Sequence, residues 1–341
     1  MKLGIHLEDW QTTVPNVVSG YRWDVIKTLR VTLERGGVTG RGEGRGVYYL
    51  DETPESAASV LEHARPEIEA GITRDALRDL LPPSGARMAL DCALWDLESR
   101  ETGRTIADIA GLDRMQKRQT SVTIWGADVD TVASEARKIG PGRTIKLKLL
   151  GDGEDGARIR AVRAVHPTCL FLVDANQGLT RDSYNSLLPD LVEARVRMIE
   201  QPFPRGQDDW LDGLDRPVPV CADESLQGLS EYAAVRERYD MINIKLDKCG
   251  GLTEGLEIAR TATRDGLDVM VGCMTCTSLA IAPALYIAQF TQLCDLDGPL
   301  YITKDRNPAV RYAADGSMTL PRGLWGWKPE DVTEDVTEDT A

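Results

Sequence analysis

Six ionisable residues follow one another at nearly even steps in the second half of the chain: Lys148, Asp174, Glu200, Asp223, Lys245 and Asp295, separated by 26, 26, 23, 22 and 50 residues. Cys273 stands inside the last, double step. Three consecutive members are carboxylates, and His6, His63 and His166 all lie off the pattern. All-oxygen ligation suits a hard cation, and a site that keeps room for water and substrate suits Mg2+ better than Ca2+. An aspartate at a strand-to-helix junction also commonly caps the helix that follows. Three in register, one of them a glutamate inside "MIEQP", favour a metal.

A carboxylate-held cation flanked by lysines defines a reaction class. Removing the proton α to a carboxylate leaves an enediolate dianion, whose charge Mg2+ can hold. The base must be neutral, so burial and a neighbouring cation have to bring a lysine from about 10.4 to roughly 7 to 8. In "TIKLKLL", residues 144–150, Lys146 and Lys148 share one face of a strand, which places Lys146 to act on Lys148. On that stretch alone, a solvated edge strand is the simpler reading. Lys245 stands on a later run. Two bases on opposite faces of one carbon remove a proton from one side and return it on the other, inverting the centre.

The elements that must position these residues are legible from residue 118 onward. "TSVTIWG", "TIKLKLL", "LFLVDAN", "VRMIEQP", "VPVCADES", "MINIKLDK", "DVMVGC" and "QLCDLDG" read as strands. Between them lie stretches such as "LTEGLEIARTATRDG", with apolar residues at three- and four-residue spacing. Strand and helix alternating eight times predict a closed parallel barrel, whose carboxyl ends converge on one mouth. The first 115 residues differ: "VIKTLRVTLERGGVTGRGEG" reads as a hairpin and is followed by helical patterns, an α+β unit packed on the barrel. The glycines at 40, 42, 44 and 46 do not match a phosphate loop and suit close packing instead.

Composition narrows the functions. The 341 residues are 42% hydrophobic and 28% charged, with a formal charge of −14, which argues against binding nucleic acid or anionic membranes. The stretch "LAIAPALYIAQF" is too short for a membrane span and contains Pro283. "MKLGIHLEDW" lacks the apolar core of a signal peptide. Seven cysteines spread through apolar runs suit free thiols in a reducing cytoplasm, and Cys273-x-x-Cys276 has no partner motif. The last twelve residues, "EDVTEDVTEDTA", read as a solvated, disordered tail.

The motifs "KLK", "VDAN", "IEQP", "CADES" and "NIKLDKCGG", in this order, resemble the enolase superfamily in its muconate-lactonizing subgroup. "GRGEG" and "ALDCALWDLESRETG" extend the resemblance to nearly the whole chain. It implies a capping domain over a (β/α)7β barrel, with Asp174, Glu200 and Asp223 as Mg2+ ligands, Lys148 and Lys245 as bases, and Asn176 and Glu224 behind them. The expected layout is a cap at 1–115, a barrel at 116–300, a segment at 301–329 returning to the cap, and the tail at 330–341.

Within the subgroup, "DLDGPL" discriminates. Asp295 and Asp297 would attract a cation, which a dipeptide with a free ammonium has and an N-acylated amino acid lacks. The pair is similar to one in dipeptide epimerases, and "GCMTCTSLAI" also looks like that branch. The cap loop "YYLDETPES" departs from the pattern for an acidic second residue. It is about three residues longer and has no arginine, and Ser19 stands where an arginine is usual. Arg22 and Arg45 remain as candidates for a side-chain carboxylate, or as surface charges. The expectation is therefore a cytoplasmic, Mg2+-dependent epimerase of Ala-Glu-like dipeptides, forming a homo-oligomer. The alternatives are an N-acylamino acid racemase, a cycloisomerase, or a binding protein on the same fold.

Overall fold

The computed structural model describes residues 1–18, 21–113 and 115–327. The Ser19 departure and the acidic tail lie outside the described residues.

Strands β1 (Lys2–Val18), β2 (Tyr21–Arg35) and β3 (Val38–Gly44) form an antiparallel sheet in the order β1-β2-β3. One face of β3 lies directly on the helix Gly85–Thr102. A Cβ on Gly40, Gly42 or Gly44 would come within 2.3, 2.1 and 2.2 Å of the backbone oxygens of Ala93, Ala89 and Gly85. Glycine at every second position therefore lets strand and helix approach backbone to backbone. Around that contact Leu29, Val31, Leu33, Leu61, Ile68, Leu77 and Leu90 make the cap's own core.

The strand β4 (Arg118–Gln119) leads into a parallel sheet of β5 (Ser121–Ile124), β6 (Thr144–Lys148), β7 (Phe171–Asp174), β8 (Met198–Glu200), β9 (Val220–Ala222), β10 (Met241–Lys245), β11 (Asp268–Gly272) and β12 (Leu293–Asp295). The eight pair in sequence order, and a parallel bridge between Thr120 and Cys294 joins the first edge to the last. All eight predicted strands are present. Helices cover six of the seven connections, while β8 to β9 carries only the single 3-10 turn Asp208–Leu211. After β12 the chain forms β13 (Arg311–Tyr312) and β14 (Ser317–Thr319), the latter paired with β4. It then runs back to the cap: Trp325 Nε1 donates to Arg41 O and Cys92 O, and Gly326 N–H donates to Asp96.

The barrel interior is layered by the two-residue period of its strands. Leu172, Met198, Cys221, Met241, Met270 and Leu293 make one apolar cluster. Two residues further along these strands stand Asp174, Glu200, Asp223, Asn243, Gly272 and Asp295. The same inward face thus changes from apolar floor to charged mouth within one pleat. No helix among the described residues is long and apolar enough to cross a membrane.

Candidate active site

Lys148, Asp174, Glu200, Lys245 and Asp295 each end a strand and Asp223 directly follows one, so the ladder fixes their backbones while their side chains enter the mouth. Register places Lys148 beside Asp174 and Asp174 beside Glu200. The helices after these strands begin elsewhere: Thr180 caps Arg181–Glu193, and Glu231 precedes Tyr232–Arg236. Asp174, Glu200 and Asp223 cap no helix, so that alternative is removed.

All three carboxylates are buried and bound to lysine ammoniums. Lys146 Nζ lies 3.0 Å from Asp174, 2.7 Å from Glu200 and 2.6 Å from Asp295, and the residue has no exposure at all. Lys148 meets Asp174 at 2.6 Å. Lys245 and Lys248 both meet Asp223 at 2.6 Å. The lysine face of β6 is interior, and Lys146 is a hub between carboxylates rather than a group open to the mouth.

The charges set each other's titration. Burial opposes ionisation of Asp174, yet Lys146 and Lys148 hold it well below the usual carboxylate range. Burial is likewise outweighed at Asp223 by Lys245 and Lys248. Glu200 is pushed up to about 7 by burial and by Asp174, and Glu224 to about 8 by burial and by Asp223. The expected lowering of a lysine pKa rests on a bound cation; the chain's own groups act the other way at Lys245. Desolvation pulls it down, but Asp223 and Glu200 outweigh that and hold it well above the ordinary lysine value.

Among the described residues no three carboxylate, imidazole or thiol groups converge as a ready cluster, because ammoniums stand between them. The donor set nonetheless fits a hard cation. Glu200 Oε2, Glu224 Oε2, Asn176 Oδ1 and Asn243 Oδ1 are buried oxygens with no hydrogen-bond donor, since Lys146 approaches Glu200 without the alignment of a hydrogen bond. Four acceptors without a hydrogen bond at one mouth, one of them beside the Lys146 ammonium, leave lone pairs that a hard cation can use. The Asn176 amide donates to Glu224 Oε1 at 3.4 Å, so both stand together behind Asp174.

At the β12 side of the lysine hub, Asp295 accepts from Ser121 at 2.7 Å as well as from Lys146. Asp297, just beyond β12, accepts from Thr123 N–H at 2.8 Å. Its carboxyl is pushed up to about 6 by burial and then by Asp295. The two aspartates are brought together, but both oxygens of Asp295 are already engaged. Arg22 is not brought in: its side chain is 60% exposed and pairs with Asp24 at 3.1 Å. Arg45 is buried against the Trp23 ring.

Several residues here were not singled out from the sequence. Asn243 donates to Glu200 Oε1 at 2.7 Å, and Lys248 donates to both Asp223 and the Asn243 carbonyl. Asn243 shares the face of Lys245 at a two-residue spacing, a signal that was available. The roof of Tyr21, Trp23, Tyr48 and Tyr49, with rings 4.7 to 5.6 Å apart, had no such signal, because β2 and the turn after β3 meet only in the folded cap.

The family profile described as Enolase C-terminal domain-like matches residues 128–324. The L-Ala-D/L-Glu epimerase of Escherichia coli strain K12 is 35% identical over 306 residues, which cover 89% of this chain and 95% of that one. The chain belongs to the enolase superfamily. Another relative in sequence is an N-acetyl-D-glutamate racemase from Pseudoalteromonas, 38% identical over 73% of this chain and 79% of that one. Among solved structures, an enolase family member from Agrobacterium tumefaciens with homology to dipeptide epimerases, containing sodium and L-Ala-L-Glu, superposes with a TM-score of 0.90. It is 37% identical and covers 95% of this chain and 99% of that one. A dipeptide epimerase from Methylococcus capsulatus, complexed with Mg and L-Arg-D-Lys, has a TM-score of 0.83 at 30% identity, covering 95% and 98%.

Proposed function

We propose that this protein is an Mg2+-dependent dipeptide epimerase, an isomerase that inverts one α-carbon of an Ala-Glu-like dipeptide. The observation that carries the reading is the placement of Lys148 on β6 and Lys245 on β10. Four steps apart in a ring of eight strands, they stand on opposite sides of one mouth, with the carboxylates of β7, β8 and β9 between them.

Asp174, Glu200 and Asp223 would hold the cation. When bound, Mg2+ supplies positive charge to offset the charge that develops on the substrate carboxylate as its α-proton leaves. The chain's own residues do the rest. One of Lys148 Nζ and Lys245 Nζ accepts the α-proton while the other, already protonated, delivers one to the opposite face. Lys146 fixes the carboxylates of Asp174, Glu200 and Asp295 in one array. Asp297 faces the ammonium of the substrate's first residue, whose charge relieves the burial that pushes its carboxyl up.

The test is deuterium incorporation at the α-carbon of dipeptides in D2O. Exchange with inversion supports the reading, and absence of exchange across a dipeptide library overturns it. The resemblance to an N-acetyl-D-glutamate racemase favours a second reading, decided by kcat/KM for one dipeptide and its N-acetyl form. Preference for the acetylated compound replaces the epimerase with an N-acylamino acid racemase.

A further inference from the structure

Arg45 follows β3 at the turn into the roof. It is 8% exposed, and its guanidinium carbon sits 4.7 Å from the centre of the Trp23 ring. Its backbone N–H donates to Asp247 Oδ1 at 2.6 Å, and the Gly46 N–H donates to the same oxygen at 3.2 Å. Its guanidinium has no hydrogen bond or ion pair with any other described residue. A buried guanidinium brings five donors and a full charge, and leaving it unpaired is costly. Stacking on indole offsets part of that cost and fixes the plane of the fork without using its donors.

The position of Arg45 ties it to the mouth. Trp23 packs edge-on to Tyr48 at 4.8 Å. Tyr48 packs edge-on to Tyr49 at 5.2 Å. Tyr49 accepts from Gln227 at 2.9 Å, and Gln227 joins it to the mouth because its amide also donates to the Glu224 carbonyl at 2.7 Å. The free fork is therefore part of the same aromatic wall beside the mouth.

We propose that Arg45 is a specificity-determining residue that receives an anionic side chain, as a two-pronged pair with its carboxylate, from the residue whose α-carbon lies between Lys148 and Lys245. Trp23 holds the guanidinium plane for that pair. The inference rests on the epimerase reading and adds to it the residue that selects an acidic substrate. It also accounts for a cap that lacks an arginine in the loop "YYLDETPES": the cation is supplied from the end of β3 instead.

The experiment compares kcat/KM for L-Ala-L-Glu and L-Ala-L-Gln, which differ in charge at nearly constant shape, in wild type, Arg45→Gln and Arg45→Lys. Wild type is expected to prefer the acidic peptide by about 10- to 150-fold, chiefly in KM. Arg45→Gln removes most of that preference, and Arg45→Lys keeps part of it because it retains charge without the fork. Both peptides are read on one preparation, so partial misfolding lowers both rates and leaves their ratio intact. Should Arg45→Gln fail to fold, the ratio in Arg45→Lys stands in for it, with a drop expected. Equal rates in wild type, or an undiminished preference in the variant that folds, overturn the proposal while leaving the epimerase reading in place. Absence of α-deuterium in every peptide overturns that reading instead.

Discussion

At the residue scale the proposed chemistry depends on two ammonium groups on opposite sides of one mouth. Lys148→Ala and Lys245→Ala are each expected to abolish epimerisation, since inversion needs both. Either variant retains α-proton exchange of one stereoisomer through the remaining lysine. NMR in D2O with each enantiomeric peptide reads both effects, and unchanged inversion in either variant rules out the two-base scheme. The orphaned oxygens of Glu200, Glu224, Asn176 and Asn243 make a parallel prediction for the cation. Exhaustive chelation is expected to abolish turnover and added Mg2+ to restore it. Asp297→Asn removes a charge-assisted contact of roughly 1.5 to 3 kcal/mol, and is expected to lower kcat/KM for a free dipeptide by about 10- to 150-fold. It also narrows the gap to the N-acetyl peptide, because less negative charge is then left unpaired.

At the scale of elements, the two-residue pleat does most of the positioning. It stacks Asp174 over Leu172, Glu200 over Met198 and Asp223 over Cys221, so an apolar floor and a charged mouth come from the same strands. Gly272 shows how little slack that leaves. A Cβ there would lie 2.7 Å from the Asn243 amide and 3.0 Å from Lys245 Cε. The cap uses glycine for a different approach, strand backbone on helix backbone. Gly42→Ala would place a methyl 2.1 Å from the Ala89 carbonyl, where both partners are main chain and neither side chain can turn away. Overpacking of this kind costs about 1 to 3 kcal/mol. Thermal or urea denaturation is expected to show that loss, whereas alanine at Gly71, with nothing within 4 Å, is limited to the strain of its φ of +109°.

For the whole molecule, the cap is docked on the barrel through contacts that include buried polar ones. Arg87 pairs with Glu254 at 2.5 Å, Glu43 accepts from Thr277 at 2.9 Å, and Asp91 accepts from the Thr253 N–H at 3.0 Å. Burial pushes the Asp91 carboxyl up from 3.8 to about 6. Between those values the folded protein keeps a proton that the unfolded chain has lost. This contribution to stability is therefore fully present below 3.8 and lost as pH rises through about 6. A shift of that size corresponds to about 3 kcal/mol. Asp247, another interface carboxyl, is also raised to about 6 by burial, while Asp174 and Asp223 shift the other way, so the test is a difference. Melting temperatures of wild type and Asp91→Asn are expected to converge or cross between pH 4 and 7, with the variant gaining relative stability as pH rises. A constant offset would show that Asp91 does not titrate in this window.

What the sequence by itself determined was the barrel, its eight strands and the order of the groups at their ends. Those follow from local periodicity: alternation along a strand and a step near 25 residues need no knowledge of what packs on what. Motifs such as "VDAN" and "NIKLDKCGG" reached the family for the same reason, since their residues are contiguous. Tertiary structure decided what depends on partners far apart in the chain. Lys146 reads as a helper of Lys148 until Glu200 and Asp295 are seen to share its ammonium, 54 and 149 positions away. Arg22 and Arg45 are equivalent on paper, each a basic residue in the cap. Folding leaves one at the surface beside Asp24 and buries the other against Trp23, with no ion pair among the described residues. Burial and pairing are properties of three-dimensional surroundings, and they separate a solvated charge from a binding residue.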